Sequence, residues 1–451
     1  MTKLLKLTDW KSDYEKSGKK KKSLVTAVVA NQAGEIFDLE GYAAVGMDGP
    51  SLVPLTFDET IDMPLGGELM LMPDRRPILY NMDNHGFETL EENPYAPGEP
   101  IFPVAAFNSP GYVISYVSAY RENEGAGYLP LFSYGAVGWY RGKFRSAVIL
   151  VDKERRQDLR LMKPEDVIAG IRQMKKKMPA NRLREHLEKC ALEYGCPAGK
   201  NFFLGRYEAP LPTSGHCNAR CLGCLSLQKN DGIPHSQDRI AFTPSPEEIA
   251  EVALEHIGRV KRGIVSFGQG CEGDPLLAAG VILPAIGLIR LDTPDGTINM
   301  NTNGSRPDIL QNLFDAGLDS IRISLNSVRK ECYDAYFQPI GYGFSDVKKS
   351  IDIALQQGKF VAINYLNCPG FTDTPEEMDA LTDFIRRHPI NMIQWRNLNF
   401  DPVRYLNIMS VVAKHGMPVG MKNFFSRIRK SFPHIKHGYF NPPKETFSKK
   451  P

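Results

Sequence analysis

At 451 residues the chain is longer than one compact core usually needs, so two domains are expected. A hydrophobic share of 42% and a charged share of 24% exclude a disordered or fibrous chain, and a net charge of +3 is too small to argue for nucleic acid by itself. No apolar signal-peptide core follows the N-terminal Met-Thr-Lys-Leu-Leu-Lys, and no run reads as long enough to span a bilayer. A cytoplasmic, reducing setting is therefore expected, with the eight cysteines as thiols or cluster ligands rather than disulfides.

In chain order, residues 1–23 read as a flexible basic arm, in which Lys19 to Lys22 form a solvated charge run more readily than a phosphate contact. Residues 24–158 read as a mainly β domain. Short apolar runs such as Leu69-Met70-Leu71-Met72 and Tyr112-Val113-Ile114 alternate with Gly and Pro, and helical periodicity is weak. The Pro- and Gly-rich stretch from Asn81 to Pro103 is expected to be a long surface loop. Phe132, Tyr134, Trp139 and Tyr140 are expected to serve the β core rather than a recognition surface. Residues 159–201 read as a helical linker, with Pro164 at a first helical position and an apolar stripe at Leu183, Leu187, Ala191 and Tyr194. Cys190 and Cys196 fall at its end, where two ligands make no complete site and a buried thiol is the stronger reading, although part of a second cluster is conceivable.

From residue 202 to 421 strand-like and helical segments alternate. The strands are expected at Glu208–Leu211, Gly263–Phe267, Thr297–Asn301, Ser320–Leu325, Phe360–Leu366 and Asn391–Trp395. A capping box, Ser245-Pro246-Glu247-Glu248, opens one of the intervening helices, and Thr374-Pro375-Glu376-Glu377 repeats that grammar. Six such units with right-handed crossovers want a parallel sheet. The apolar pair Ile264-Val265 suggests a filled interior beneath the strand ends. Residues 422–451 form a basic, aromatic tail, able either to bind single-stranded nucleic acid or to dock back on the fold.

The chemistry concentrates in Gly215-His216-Cys217-Asn218-Ala219-Arg220-Cys221-Leu222-Gly223-Cys224. Three thiolates separated by three and then two residues suit one face of a cubic iron–sulfur cluster. The fourth iron then keeps an open position, where chemistry can occur. A zinc site completed by His216 or His235, or three unrelated buried thiols, are the competing readings.

Cys217, Cys221 and Cys224 resemble the Cys-x3-Cys-x2-Cys signature of the radical S-adenosylmethionine (radical SAM) superfamily. The resemblance implies an α/β fold: a partial (β/α)6 TIM-like barrel over 202–421, beside the N-terminal mainly-β domain. It also implies a [4Fe-4S] cluster on these cysteines, S-adenosyl-L-methionine at the open iron, and a reductant such as flavodoxin or ferredoxin. Gly268-Gln269-Gly270-Cys271-Glu272-Gly273-Asp274-Pro275 looks like the family's Gly-Gly-Glu-Pro element, with Asp274 where a glutamate is usual. Asp274, Glu272 or backbone carbonyls would then hold the amine of SAM. By the same resemblance Gly223, Gly270, Gly273, Asn303, Ser324 and Asn326 border the SAM pocket. Asn364, Asn367, Gln394, Arg396 and Asn397 occupy further strand ends. Gly223 stands where relatives often carry an aromatic residue near the adenine. Asn218 is expected to support the cysteine turn, and Arg220 to face solvent or a charge. Cys271, bordering that pocket, is the candidate catalytic thiol, able to quench a radical or carry a substrate, against a purely structural role.

The expected activity is reductive cleavage of SAM to a 5′-deoxyadenosyl radical on a substrate that no motif names, whether peptide, nucleic acid or metabolite. The alternative is a non-catalytic iron–sulfur or zinc sensor or scaffold on the same barrel, with the Asp274 departure as its support.

Overall fold

The computed structural model describes residues 23–154, 156, 158–228 and 232–447, so the N-terminal arm at 1–22 lies outside the described residues. The chain divides into two compact units: 1–153 with 366–380 and 396–431, and 154–365 with 381–395 and 432–451.

The first unit is built on antiparallel strands, the longest being Ala96–Phe107, which pairs with Thr26–Asn31 in the register Val29↔Pro103, Ala30↔Phe102, Asn31↔Ile101. The surface loop expected over 81–103 is therefore corrected, because Gly86–Thr89, Glu92–Asn93 and the start of Ala96–Phe107 are strands. Asn81 Oδ1 accepts from the N–H groups of Asp83 (2.9 Å) and Asn84 (3.2 Å) and folds the hairpin there. Among the prolines that suggested a loop, Pro94 lies in the turn before the strand Ala96–Phe107, and Pro97 falls where its pairing with Glu92–Asn93 is irregular, between Ala96 and Pro100. Tyr134 is buried, with Phe132 packed against the same core cluster, in accord with the β-core expectation.

Arg75, 1% exposed, donates through Nη2 to Glu122 Oε1 (2.7 Å), Gly127 O (2.7 Å) and Asp401 Oδ2 (3.0 Å). Tyr120 Oη donates to the other oxygen of Asp401 at 2.9 Å. Asp401 is the N-cap of the helix Pro402–Val412, so this network fixes a late helix to early strands within one unit.

The second unit is organised by a parallel sheet whose strands run in chain order: β1 (Glu208–Pro210), β2 (Ile264–Phe267), β3 (Thr297–Thr302), β4 (Ser320–Leu325), β5 (Phe360–Asn367), β6 (Met392–Asn397) and β7 (Lys436–Gly438). The six expected strands are present, and β7, from the C-terminal stretch, pairs parallel to β6 as one more. Ahead of the sheet lie α1 (Pro164–Lys177), α2 (Arg182–Leu192) and α3 (Pro197–Leu204). The crossovers include α4 (Pro246–Arg259), α5 (Ala279–Asp292), α6 (Pro307–Ala316), α7 (Lys330–Phe337) and α8 (Phe344–Gln356). The capping box that opens α4 is formed, with Ser245 Oγ accepting from Glu248 N–H and Glu248 Oε2 from Ser245 N–H.

Because side chains alternate along a strand, Ile298 and Met300 point to one face of β3, and Thr297, Asn299 and Asn301 to the other. The second face carries a polar network. Ser266 Oγ donates to Glu208 (2.5 Å), Asn299 Nδ2 to Ser266 Oγ (3.2 Å) and Ser320 Oγ to Asn299 (2.9 Å), while Arg322 donates to Gln394 at 2.7 Å. Asn441, 2% exposed and just past β7, joins Gln394 (2.7 Å) to Glu208 (2.7 Å). Ile264 and Val265 are buried, and the same strands line an interior occupied by hydrogen-bonded polar groups.

The expectation that no run is long enough to span a bilayer is also corrected. Among the described residues one helical stretch, Pro275–Asp292, is long and apolar enough by those measures to cross a membrane, with a mean hydropathy of 1.7. It is the connection from β2 to β3, and it buries Ile282, Ala285, Ile286 and Ile289.

Candidate radical-chemistry site

The cysteine loop leaves β1 and is strapped to α7 by backbone bonds from Arg220 N to Phe337 O (2.8 Å) and Leu222 N to Tyr336 O (3.0 Å). Ile340 N donates to Asn218 O (2.8 Å), and Asn303 Nδ2 to Asn218 Oδ1 (2.8 Å), so Asn218 supports the turn as expected. Arg220 faces solvent. The three sulfurs lie near enough for charge on Cys217 or Cys224 to raise the Cys221 thiol, on top of the larger effect of burial. Burial, then the charge of Asp274, pushes Cys217 up to about 11. Three half-buried cysteines beside a carboxylate form a donor set whose thiolates a cationic metal centre would stabilise.

Glu272 is buried and saturated with donors. Its Oε2 accepts from Thr213 N (2.8 Å), Thr213 Oγ1 (3.2 Å) and Ser214 N (3.1 Å), and its Oε1 from Gly268 N and Gln269 N (2.7 Å each). Burial raises its carboxyl to about 7 against the pull of those amides. Asp274 is engaged in the same way: Thr302 Oγ1 (2.8 Å) and Leu276 N (3.1 Å) donate to Oδ1, and Asn303 N (2.7 Å) to Oδ2. Burial lifts its carboxyl to about 6.

Gly273 runs directly under the cysteine loop. Its N–H meets Ser214 O at 2.6 Å, and a Cβ there would lie 1.8 Å from His216 O. Gly268, at φ +79°, would put a Cβ 1.7 Å from Asn301 O. Gly270 lies against the side chains of Gln237 and Leu225.

The geometry joins Cys217, Cys221, Cys224, Gly273, Glu272, Asp274 and Asn303 in one connected set. Other expected residues are engaged elsewhere. Asn326 Nδ2 donates to Cys332 O at 3.0 Å, inside α7. Asn397 Nδ2 donates to Tyr112 O (3.0 Å) and Asn367 Nδ2 to Ile114 O (3.1 Å), both within the first unit. Ser324 is half-buried beside Asn364 of β5. Cys271 is buried, with its sulfur within 4.8 Å of Cys190 Sγ.

Sequence reasoning missed Arg239, whose Nη2 lies 3.5 Å from Cys224 Sγ while Nε donates to Ser226 Oγ at 3.1 Å. It also missed Tyr336, whose hydroxyl accepts from Gly223 N–H, so that an aromatic ring arrives beside the position where Gly223 itself supplies none. Neither residue sits in a spacing motif, and only the chain's return brings them to the loop.

A model of the radical SAM superfamily matches residues 211–385. A probable GTP 3',8-cyclase of Methanococcus maripaludis is 27% identical over 177 residues, 38% of this chain and 52% of that protein. The chain thus spans about half the length of this curated relative. Among solved structures, the radical S-adenosylmethionine methyltransferase TsrM from Kitasatospora setae is 14% identical, over 43% of this chain and 36% of that one, with a TM-score of 0.33. Streptococcus suis SuiB bound to S-adenosylmethionine is 13% identical over 53% and 52%, with a TM-score of 0.35.

Proposed function

We propose, from the premise that residues 211–385 are a radical SAM superfamily segment, that this chain is a radical SAM enzyme holding a [4Fe-4S] cluster on Cys217, Cys221 and Cys224 and binding S-adenosyl-L-methionine. When bound, that pair supplies a 5′-deoxyadenosyl radical by reductive cleavage. The observation that carries the reading is the joining of the cysteine loop to the turn after β2 through Glu272 and Gly273, which holds three thiols at the carboxyl end of a parallel strand.

The division of labour follows from which groups are already bonded. Glu272 and Asp274 act as braces, each taking backbone donors from two loops, so the ammonium of SAM falls to carbonyls of the Gly268–Gly273 turn. Asn303 positions the cysteine turn through Asn218, and Arg239 sets a cation against Cys224. Gly223, bonded through its N–H to Tyr336, and Gly270, packed against Gln237 and Leu225, border the adenosine, with Ser324 at the β4 end of the pocket and Asn326 behind it, tied to Cys332 O. Cys271 borders this pocket as a buried thiol. The partial barrel over 202–421, the helical linker at 159–201, a cytoplasmic setting and a flavodoxin or ferredoxin reductant belong to the same reading. The substrate stays unassigned, and GTP is the first one to try, given the cyclase relative.

Anaerobic reconstitution followed by dithionite and SAM tests the proposal. A formed cluster and 5′-deoxyadenosine are expected, both lost in Cys221→Ala. A formed cluster that yields no 5′-deoxyadenosine would favour the sensor or scaffold instead.

A further inference from the structure

Outside that site, His186 and Cys190 stand one turn apart on α2 and meet Cys271 from the turn after β2. The ligand atoms of all three lie within 4.8 Å of one another, and both cysteines are buried. Cys190 Sγ is 3.5 Å from His186 Nε2. A tetrahedral zinc with ordinary Zn–S and Zn–N bonds separates a sulfur and a nitrogen ligand by about 3.6 Å, so these atoms already stand at the edge length of one coordination sphere. A cubic cluster would need its cysteines spread to reach different irons, which this convergence on a single point does not suit. Cys196 stands at the N-cap of α3, its N–H donating to Cys190 O at 3.0 Å.

We infer that His186, Cys190 and Cys271 bind one zinc ion. Such a centre is made of two thiolates and an imidazole, a donor set suited to a borderline-soft d10 cation. It ties α2 to the turn that carries Glu272 and Asp274, and so stiffens the brace of the cysteine loop from behind. Cys271 is thereby withheld from solvent and oxidant as a metal ligand.

The test uses the full-length protein, purified anaerobically without chelator, with its metals counted by plasma mass spectrometry. Wild type and the Cys217→Ala/Cys221→Ala/Cys224→Ala variant are each expected to hold about one zinc per chain. His186→Ala and Cys190→Ser are expected to lose most of it while retaining iron. Cobalt(II) added to metal-stripped protein is expected to give thiolate-to-cobalt charge-transfer absorption that His186→Ala weakens. Wild type without zinc and without that absorption overturns the inference, as does zinc retained undiminished in both His186→Ala and Cys190→Ser, or a Cys190–Cys271 disulfide in freshly isolated protein. Should the single variants fail to fold, the zinc count and cobalt spectrum of the Cys217→Ala/Cys221→Ala/Cys224→Ala variant decide, because that variant has lost the other thiol set. None of these readouts depends on SAM cleavage, so this inference and the proposed activity fail independently.

Discussion

Glu272 Oε2 holds the N–H of Thr213 at 2.8 Å, and its other oxygen holds Gly268 N–H at 2.7 Å, so one side chain bolts the loop after β1 to the turn after β2. A carboxylate is needed because every partner is a donor. Glu272→Gln would turn an NH2 group toward two of those backbone N–H groups, leaving buried donors unmet at a cost of roughly 1–3 kcal/mol. The expected result is a lower melting temperature and less iron per chain after reconstitution, with Glu272→Ala worse still. Iron loading equal to wild type in both variants would show that the brace does not hold the cysteines.

Steric exclusion under the same loop gives a sharper expectation. Gly273→Ala forces its methyl carbon to within 1.8 Å of His216 O, so either the turn or the cysteine loop must move. Gly268→Ala adds left-handed strain to a 1.7 Å clash with Asn301 O. Both variants are expected to lose most of their cluster content. Alanine at Gly280, where nothing lies within 4 Å, serves as the control and is expected to load normally.

Arg239 makes a test of electrostatics rather than of folding. A guanidinium 3.5 Å from Cys224 Sγ favours the more negative, reduced state of any cluster bound there. Arg239→Ala is expected to lower the reduction potential; a tenfold change in the one-electron equilibrium would be ~59 mV. An EPR-monitored redox titration reads it directly, and a potential that rises or stays put would remove Arg239 from the site.

The cysteine spacing, the parallel strands and the α4 capping box were all legible because each is local: a fixed interval, a short apolar run, a Ser and a Glu one turn apart. What was not legible depends on chain return. Asn81 to Pro103 read as a loop because Pro and Gly weaken strand propensity, yet pairing of Gly86–Thr89 with Arg75–Asn81, of Glu92–Asn93 with Ala96 and Pro100, and of 101–103 with Thr26–Asn31 overrides it. Arg239, Tyr336 and Asn441 carry no motif, and they matter only because the fold delivers them to Cys224, Gly223 and Glu208. The roles of Glu272 and Asp274 could not be separated by spacing either, since counting their backbone donors requires coordinates.

Asp48 and Asp373 form a buried, hydrogen-bonded carboxyl pair in the first unit, and Asp373 Oδ1 also accepts from Gly370 N at 2.7 Å. Burial first, then the neighbouring Asp373, lifts Asp48 to about 8, and burial lifts Asp373 to about 6. Both folded values lie above the unfolded one, so the folded state holds extra protons. The pair's contribution is full below about pH 4 and is lost as pH rises through about 6 and about 8. Asp48→Asn keeps a donor toward Asp373 and removes this titration. It is expected to gain roughly 1–3 kcal/mol over wild type at alkaline pH, and the advantage should shrink on acidification. Thermal melts across that range check it, and a constant difference would show that the pair does not share a proton.

Asn441 tests whether the polar interior of the parallel sheet is held by its last strand segment. Its Nδ2 donates to Glu208 Oε1 and its Oδ1 accepts from Gln394 Nε2, both at 2.7 Å. Asn441→Ala leaves two buried groups short of a partner and is expected to destabilise by roughly 1–3 kcal/mol. Asn441→Asp keeps the shape but sets a second carboxylate against Glu208. It is therefore expected to be less stable than Asn441→Ala at neutral pH and to recover as acid protonates one of the two. Denaturant unfolding at neutral and mildly acidic pH separates the outcomes. If the two variants stay in the same order at both pH values, then the added carboxylate does not meet Glu208, and the interior network does not run through the C-terminal strand.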